Sequence, residues 1–173
     1  MAEPESGQPG SGQPETTDDG RWIVVDGRRW RATDPSIPER LKTELVSELM
    51  AARRAVKDEG DAARHRVRDA KVALGERGDP WWEPTDEGRH ERLVAAFRTL
   101  LRHRPDGTVC PSEPSRIVGG ESWRDISPIS RELAWELADE GYVEVRQRGE
   151  PVTRGAKGPI RVARGERFDD WRA

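Results

Sequence analysis

The sequence predicts a mainly helical α+β protein, and three observations carry that reading. Apolar residues recur at spacings of three and four near 41–56, 62–74, 93–101 and 129–137, the period of helices with one buried face. Short β-prone runs stand at Trp22–Val25, Arg28–Arg31, 143–146 and 160–162. Glycines punctuate the joins, at Gly27, Gly60, Gly75, Gly119-Gly120 and Gly141.

Composition limits what these elements can build. The 173 residues are 33% hydrophobic and 36% charged, enough apolar matter for modest cores and too little for one large core. Two modules are therefore expected: a disordered arm at 1–19, a β-hairpin plus helical hairpin at 20–84, a second domain at 85–165 and a short tail at 166–173. No stretch approaches the roughly 20 apolar residues of a membrane span, and the opening Met1-Ala2-Glu3-Pro4-Glu5 lacks a signal-peptide pattern. A cytoplasmic protein without membrane attachment is the expectation. The single cysteine, Cys110, excludes an intramolecular disulfide framework and agrees with a reducing compartment.

Residues 1–19 are almost all Gly, Pro, Ser, Gln, Thr, Glu and Asp, a mixture that cannot bury enough apolar surface to offset backbone ordering. Asp26-Gly27 tolerates positive φ at both positions and joins two β-prone runs as a tight hairpin. Ser36-Ile37-Pro38-Glu39 has the pattern of a capping box, and Leu41, Leu45, Leu49, Ala52 and Val56 mark one apolar face behind it. Gly60 reads as a turn. A second helix from Ala62 to Leu74 carries Ala63, Val67, Ala70 and Leu74 inward and stops at Gly75, completing an αα-hairpin. Arg53, Arg54, Lys57, Arg64, Arg66, Arg68 and Lys71 alternate with acidic residues and read as a solvated face. Trp81-Trp82 sits at a junction between Pro80 and Pro84, where its default use is to pin the hairpin against its neighbour; a ligand platform is the other use open to it.

From His90 to His103, Leu93, Val94, Phe97, Leu100 and Leu101 share a helical face. Ser112 is a good N-cap for a two-turn helix ended by Gly119-Gly120. A third helix begins near Arg124 or Asp125, presents Ile129, Leu133 and Leu137 inward and ends at Gly141. Val143 and Val145 then alternate with charged residues, as do Ile160 and Val162, around a basic, glycine-containing loop from 149 to 158. Helix, short helix, helix and basic hairpin in that order read as a winged helix-turn-helix with the loop as its wing.

The runs Thr108-Val109-Cys110-Pro111-Ser112-Glu113-Pro114, Arg116-Ile117-Val118-Gly119-Gly120, Trp123-Arg124-Asp125-Ile126 and Lys157-Gly158-Pro159-Ile160-Arg161 resemble a bacterial, mainly actinobacterial, family of unknown function with a winged-helix fold. The first half, through Leu74-Gly75-Glu76-Arg77-Gly78 and Trp81-Trp82, is similar to a helical-hairpin companion module. Proteins with that module sometimes carry a "biopolymer transporter Tol" label. The resemblance implies a fold and no established activity.

The net charge of −3 conceals an asymmetry. Residues 1–88 hold 14 basic against 19 acidic side chains, residues 89–165 hold 14 against 11, and 142–165 alone hold six against two. The positive charge thus follows the expected wing. Double-stranded DNA is the expected partner, contacted by Arg124, Ser127, Ser130 and Arg131 at the start of the third helix and by Arg146, Arg148, Arg154, Lys157 and Arg161 around the wing. Glu132, Glu136, Asp139 and Glu140 confine that role to the helix's first half. The alternative is a protein-interaction or scaffolding module that uses Trp135 as an exposed anchor. A homodimer through the apolar face of the αα-hairpin is compatible with either.

No catalytic constellation stands out. Cys110 beside Val109 and Pro111 has the character of a small buried apolar residue more than of a nucleophile served by His103. The histidines His65, His90 and His103 lack metal-ligand spacing, and the glycines of 149–158 fit neither a Walker loop nor a dinucleotide fingerprint. No enzyme activity, metal or cofactor is expected.

Overall fold

The structure, a computed structural model, describes residues 14–172; the first thirteen residues of the expected disordered arm lie outside the described residues. The chain divides into two compact units, 1–32 and 33–173.

The first unit is a three-stranded antiparallel sheet of β1 (Glu15–Thr16), β2 (Trp22–Val25) and β3 (Arg28–Arg31), in that order. The β2–β3 hairpin turns on Asp26 and Gly27 at φ 49° and 74°, the paired positive values of a type I′ turn, whose twist matches its strands. The expectation that everything before residue 20 is disordered is corrected at β1. Glu15 and Thr16 pair with Val24 and Ile23, and the Thr17 amide donates to the Trp22 carbonyl. A polar segment gains order there because an existing strand offers unpaired backbone groups.

The second unit begins with α1 (Glu39–Glu59) and α2 (Arg64–Ala73), joined by a 3-10 turn at Gly60–Ala63. The capping box does not form. Asp34, two residues upstream, accepts from both the amide (2.9 Å) and the hydroxyl (2.6 Å) of Ser36, and α1 starts after Pro38 without a side-chain cap. The end of α2 is a Schellman motif: Gly75 takes φ +80°, its amide bonds to Val72 and the Glu76 amide to Lys71.

Helix α3 (Asp86–His103) starts four residues earlier than its apolar pattern suggests, because Thr85 caps it by accepting from the Gly88 amide at 3.0 Å. Its side chains are buried over most of its circumference, so α3 is the central helix. Next come α4 (Ser112–Gly119), a 3-10 turn at Gly120–Ser122, and α5 (Trp123–Asp139), which ends in a second Schellman motif at Gly141. Strands β4 (Val143–Gln147), β5 (Glu150–Pro151) and β6 (Arg161–Arg164) form a sheet of order β5-β4-β6. A further bridge joins Val109, between α3 and α4, to Val162 of β6.

One buried cluster runs through the second unit, from Leu41 and Leu45 of α1 through Phe97 and Leu100 of α3 to Ile117 of α4 and Leu133 of α5. The two modules expected to meet near residue 84 share this core. Buried ion pairs cross the same boundary: Arg92 reaches Asp34 at 2.9 Å, and Asp69 on α2 accepts from Arg98 (3.3 Å) and Arg102 (2.6 Å) on α3. Among the described residues, no helix is long and apolar enough to cross a membrane.

Two expectations about α5 are corrected. Ile129, assigned to the inward stripe, is 52% exposed, and Ser130 occupies the inward position instead. Trp135, proposed as an exposed anchor, is 6% exposed and packs with Val145 and Ile160 in a second cluster. The β4–β6 sheet covers a second face of α5, so residues off the first stripe are buried as well.

Candidate nucleic-acid interface

The geometry of α4 and α5 begins at Pro111. Its carbonyl accepts from the hydroxyls of Ser115 (2.9 Å) and Ser130 (2.7 Å), both fully buried. Ser130 therefore clamps α5 onto the start of α4 and is removed from the set of side chains that reach solvent. Ser112 is likewise not the N-cap of α4. Its hydroxyl donates to Cys110 Sγ at 3.1 Å, α4 starts after Pro111 without a side-chain cap, and the Glu113 carboxylate reaches back to accept the Cys110 amide at 2.8 Å.

Glu113 belongs to a square of alternating charges. Arg104 bonds to Glu44 (2.6 and 2.8 Å) and to Glu113 (3.0 Å twice), while Arg40 bonds to the same two carboxylates at 3.1 and 2.8 Å. Burial works against the ionised form of Glu113. Hydrogen bonds from Arg104, Arg40 and the Cys110 amide outweigh it and hold the carboxyl down at about 2. Hydrogen bonding to Glu44 raises the Arg104 pKa further above its ordinary value. The square ties α1 to the end of α3 and the start of α4.

Beside this square lie two adjoining concavities of about 400 Å³ each that share Cys110 and Ser112 in their walls. Arg124, Ser127 and Arg131 of α5 line the first, with Pro159 and Ile160 opposite; Arg40, Arg116 and Arg161 line the second. Arg131 donates to the Ala156 carbonyl at 3.0 Å, tying α5 to the loop before β6. Arg161 donates to the hydroxyl and carbonyl of Thr108 at 2.9 and 3.2 Å. Arg116 and Arg124 place their guanidinium carbons 4.4 and 4.7 Å from the Trp123 ring centre, so one indole holds two cations by cation–π attraction. Sequence reasoning missed Arg116 and Trp123. The signal was an arginine on the short helix seven residues before a tryptophan that opens the next.

The remaining candidates divide. Arg154 bonds to Glu132 and, at 2.7 Å, to Asp139, both on α5, and the bonds to Asp139 and Glu132 raise its pKa. Its charge is matched there and it does not line the arginine concavities. Arg146 is held by Glu144 at 2.5 Å. Arg148 has φ +52° and forms, with Gly149, the tight β4–β5 turn, where its side chain is exposed. Lys157 is exposed in the loop before β6, a loop shaped by Gln147 donating to the Lys157 and Pro159 carbonyls. His103 lies 4.0 Å from Glu44 and is absent from the concavities that Cys110 lines.

No curated protein matches the chain. Residues 90–165, which take in most of α3, all of α4 and α5 and the β4–β6 sheet, match the family described as protein of unknown function (DUF3253).

Proposed function

We propose that residues 86–165 form a winged helix-turn-helix that binds double-stranded DNA through the first half of α5, the adjoining surface of α4 and the start of β6. The element order supports the fold: α3, the Val109 strand position, α4, a three-residue turn, α5, then β4 and β6 around a basic loop. The observation that carries the function is the strip of Arg40, Arg116, Arg124, Arg131 and Arg161 along the two adjoining concavities. Glu113, the carboxylate in their walls, is already committed to two arginines. Phosphates met by such a strip release counterions, which supplies affinity without reading sequence. Specificity would come from Arg124, Ser127 and Arg131, which project from the first half of α5. The carboxylates that would oppose phosphates lie further along α5, and Arg154 matches Glu132 and Asp139. The rival reading as a protein-contact module loses the anchor it was built on, because Trp135 is buried.

The test is fluorescence anisotropy of a random-sequence duplex over a salt series, with wild type, Arg116→Glu/Arg124→Glu and Arg161→Glu. Wild type is expected to bind with salt-sensitive affinity. The double variant should lower the log–log salt slope by about 2, at ~0.9 for each phosphate no longer neutralised. An absence of binding at low salt, or slopes unchanged in both variants, refutes the reading.

A further inference from the structure

On the other side of α5 lies a concavity of about 920 Å³, larger than either arginine-lined one and within the range of small-molecule sites, roughly 300–1,000 Å³. Its lining includes Trp81 and Trp82 together with Ile126 and Ile129. The two indoles meet edge to face, with centroids 5.1 Å apart and planes at 90°. The loop that carries them is held in place before any ligand arrives. Asp79 accepts from the amide and hydroxyl of Thr85, and Gly88 packs so tightly on Asp79 that a Cβ there would collide with its carboxylate. Gly75, at φ +80°, leaves room for Trp81, which approaches to 3.1 Å of where a side chain would start.

The ionisable groups of this groove are Asp34, Asp86, Arg89, His90 and Asp125. Asp34 is committed to Arg92 and Ser36, and Asp86 holds Arg89 at 2.9 Å. Asp125, exposed in the first turn of α5, makes no ion pair among the described residues. The groove therefore offers one uncommitted carboxylate beside a wall of two tryptophans and an isoleucine, Ile129, left half-exposed at its edge. Aromatic faces attract cations, and a flat apolar body fills the space between indole and aliphatic walls.

We propose that this groove is a binding site for small organic cations with a flat apolar body, the arylalkylamine class. The ammonium pairs with Asp125, and the ring lies between the Trp81–Trp82 wall and Ile126 and Ile129. The assignment stands independently of DNA binding.

The experiment is calorimetric titration of the full chain with 2-phenylethylamine, and with 3-phenylpropionate as an anion of similar shape. The amine is expected to bind and the anion not to. Asp125→Asn should weaken the amine about tenfold, the loss of one charge-assisted bond, with an unchanged circular dichroism spectrum. Equal binding of cation and anion, an unchanged affinity in Asp125→Asn, or no heat with millimolar amine overturns the proposal. Binding of a blocked apolar peptide without basic residues in place of the amine gives the groove to a protein segment and equally overturns it.

Discussion

Replacing Glu113 with Gln tests whether the charge square stabilises the fold. The Glu113 side chain is 10% exposed, and its carboxyl sits at about 2 against 4.5 for an unperturbed glutamate. A difference of about 2.5 between those two values corresponds to about 3 kcal/mol of stability that the ionised group contributes near neutrality. Because the folded-state pKa is the lower one, that contribution is complete above the unfolded value and is lost as pH falls from about 4.5 through about 2. Urea denaturation of wild type and Glu113→Gln at pH 7 and pH 3 measures it. The gap between the two proteins should be about 3 kcal/mol at pH 7 and should shrink to less than half of that at pH 3, where the unfolded glutamate is protonated and the folded one is still largely ionised. A gap that stays constant between the two pH values refutes the reasoning, since an uncharged amide differs from a carboxylate in a pH-dependent way only if the carboxylate's pKa shifts on folding.

Asp69→Asn leaves Arg98 and Arg102 without their shared carboxylate in the interior, and should cost about 3–5 kcal/mol in chemical denaturation. Trp135→Ala removes the centre of the second buried cluster and should cost about 3–5 kcal/mol, whereas an exposed anchor would cost almost nothing; thermal melting separates the two. Gly88→Ala drives a methyl into Asp79 and should lower stability by about 1–3 kcal/mol while disturbing the near-ultraviolet signal of Trp81 and Trp82. Ile129→Gln, at a half-exposed position, should change stability by less than about 0.5 kcal/mol, which calorimetric melting can check.

Where structure is decided by neighbours in sequence, it was legible. Asp26-Gly27 announced its turn, and Gly75 and Gly141 announced the ends of α2 and α5, because positive φ is a local demand that glycine meets best. Ser36 misled because its competitor, Asp34, is itself oriented by Arg92, 58 positions away in the chain. Ile129 misled for a similar reason: Ser130 took the inward place once the Pro111 carbonyl, 19 residues distant, offered it a partner. Apolar periodicity also passes over buried charge, so Arg92, Arg98 and Asp69 were invisible as interior residues. Of the candidate interface residues expected from composition and position, Arg124, Ser127 and Arg131 line one concavity and Arg161 the adjoining one. The pairing of Arg154 with Glu132 and Asp139 was not legible, because these acidic partners lie 22 and 15 residues away, on a helix face that only the folded hairpin reaches.

The stretch of chain that the family model matches and the stretch that shares one buried core are different lengths. The family match opens at His90, inside α3, yet Arg92 finds its carboxylate at residue 34, and Arg98 and Arg102 find theirs at residue 69. A polypeptide cut at the start of the match would carry buried arginines stripped of counter-ions and a central helix bared on the sides that α1 and α2 cover. Supplying the matched segment alone with a stable interior would take other matter: different residues at the arginine positions, a different preceding segment, or another chain laid against α3.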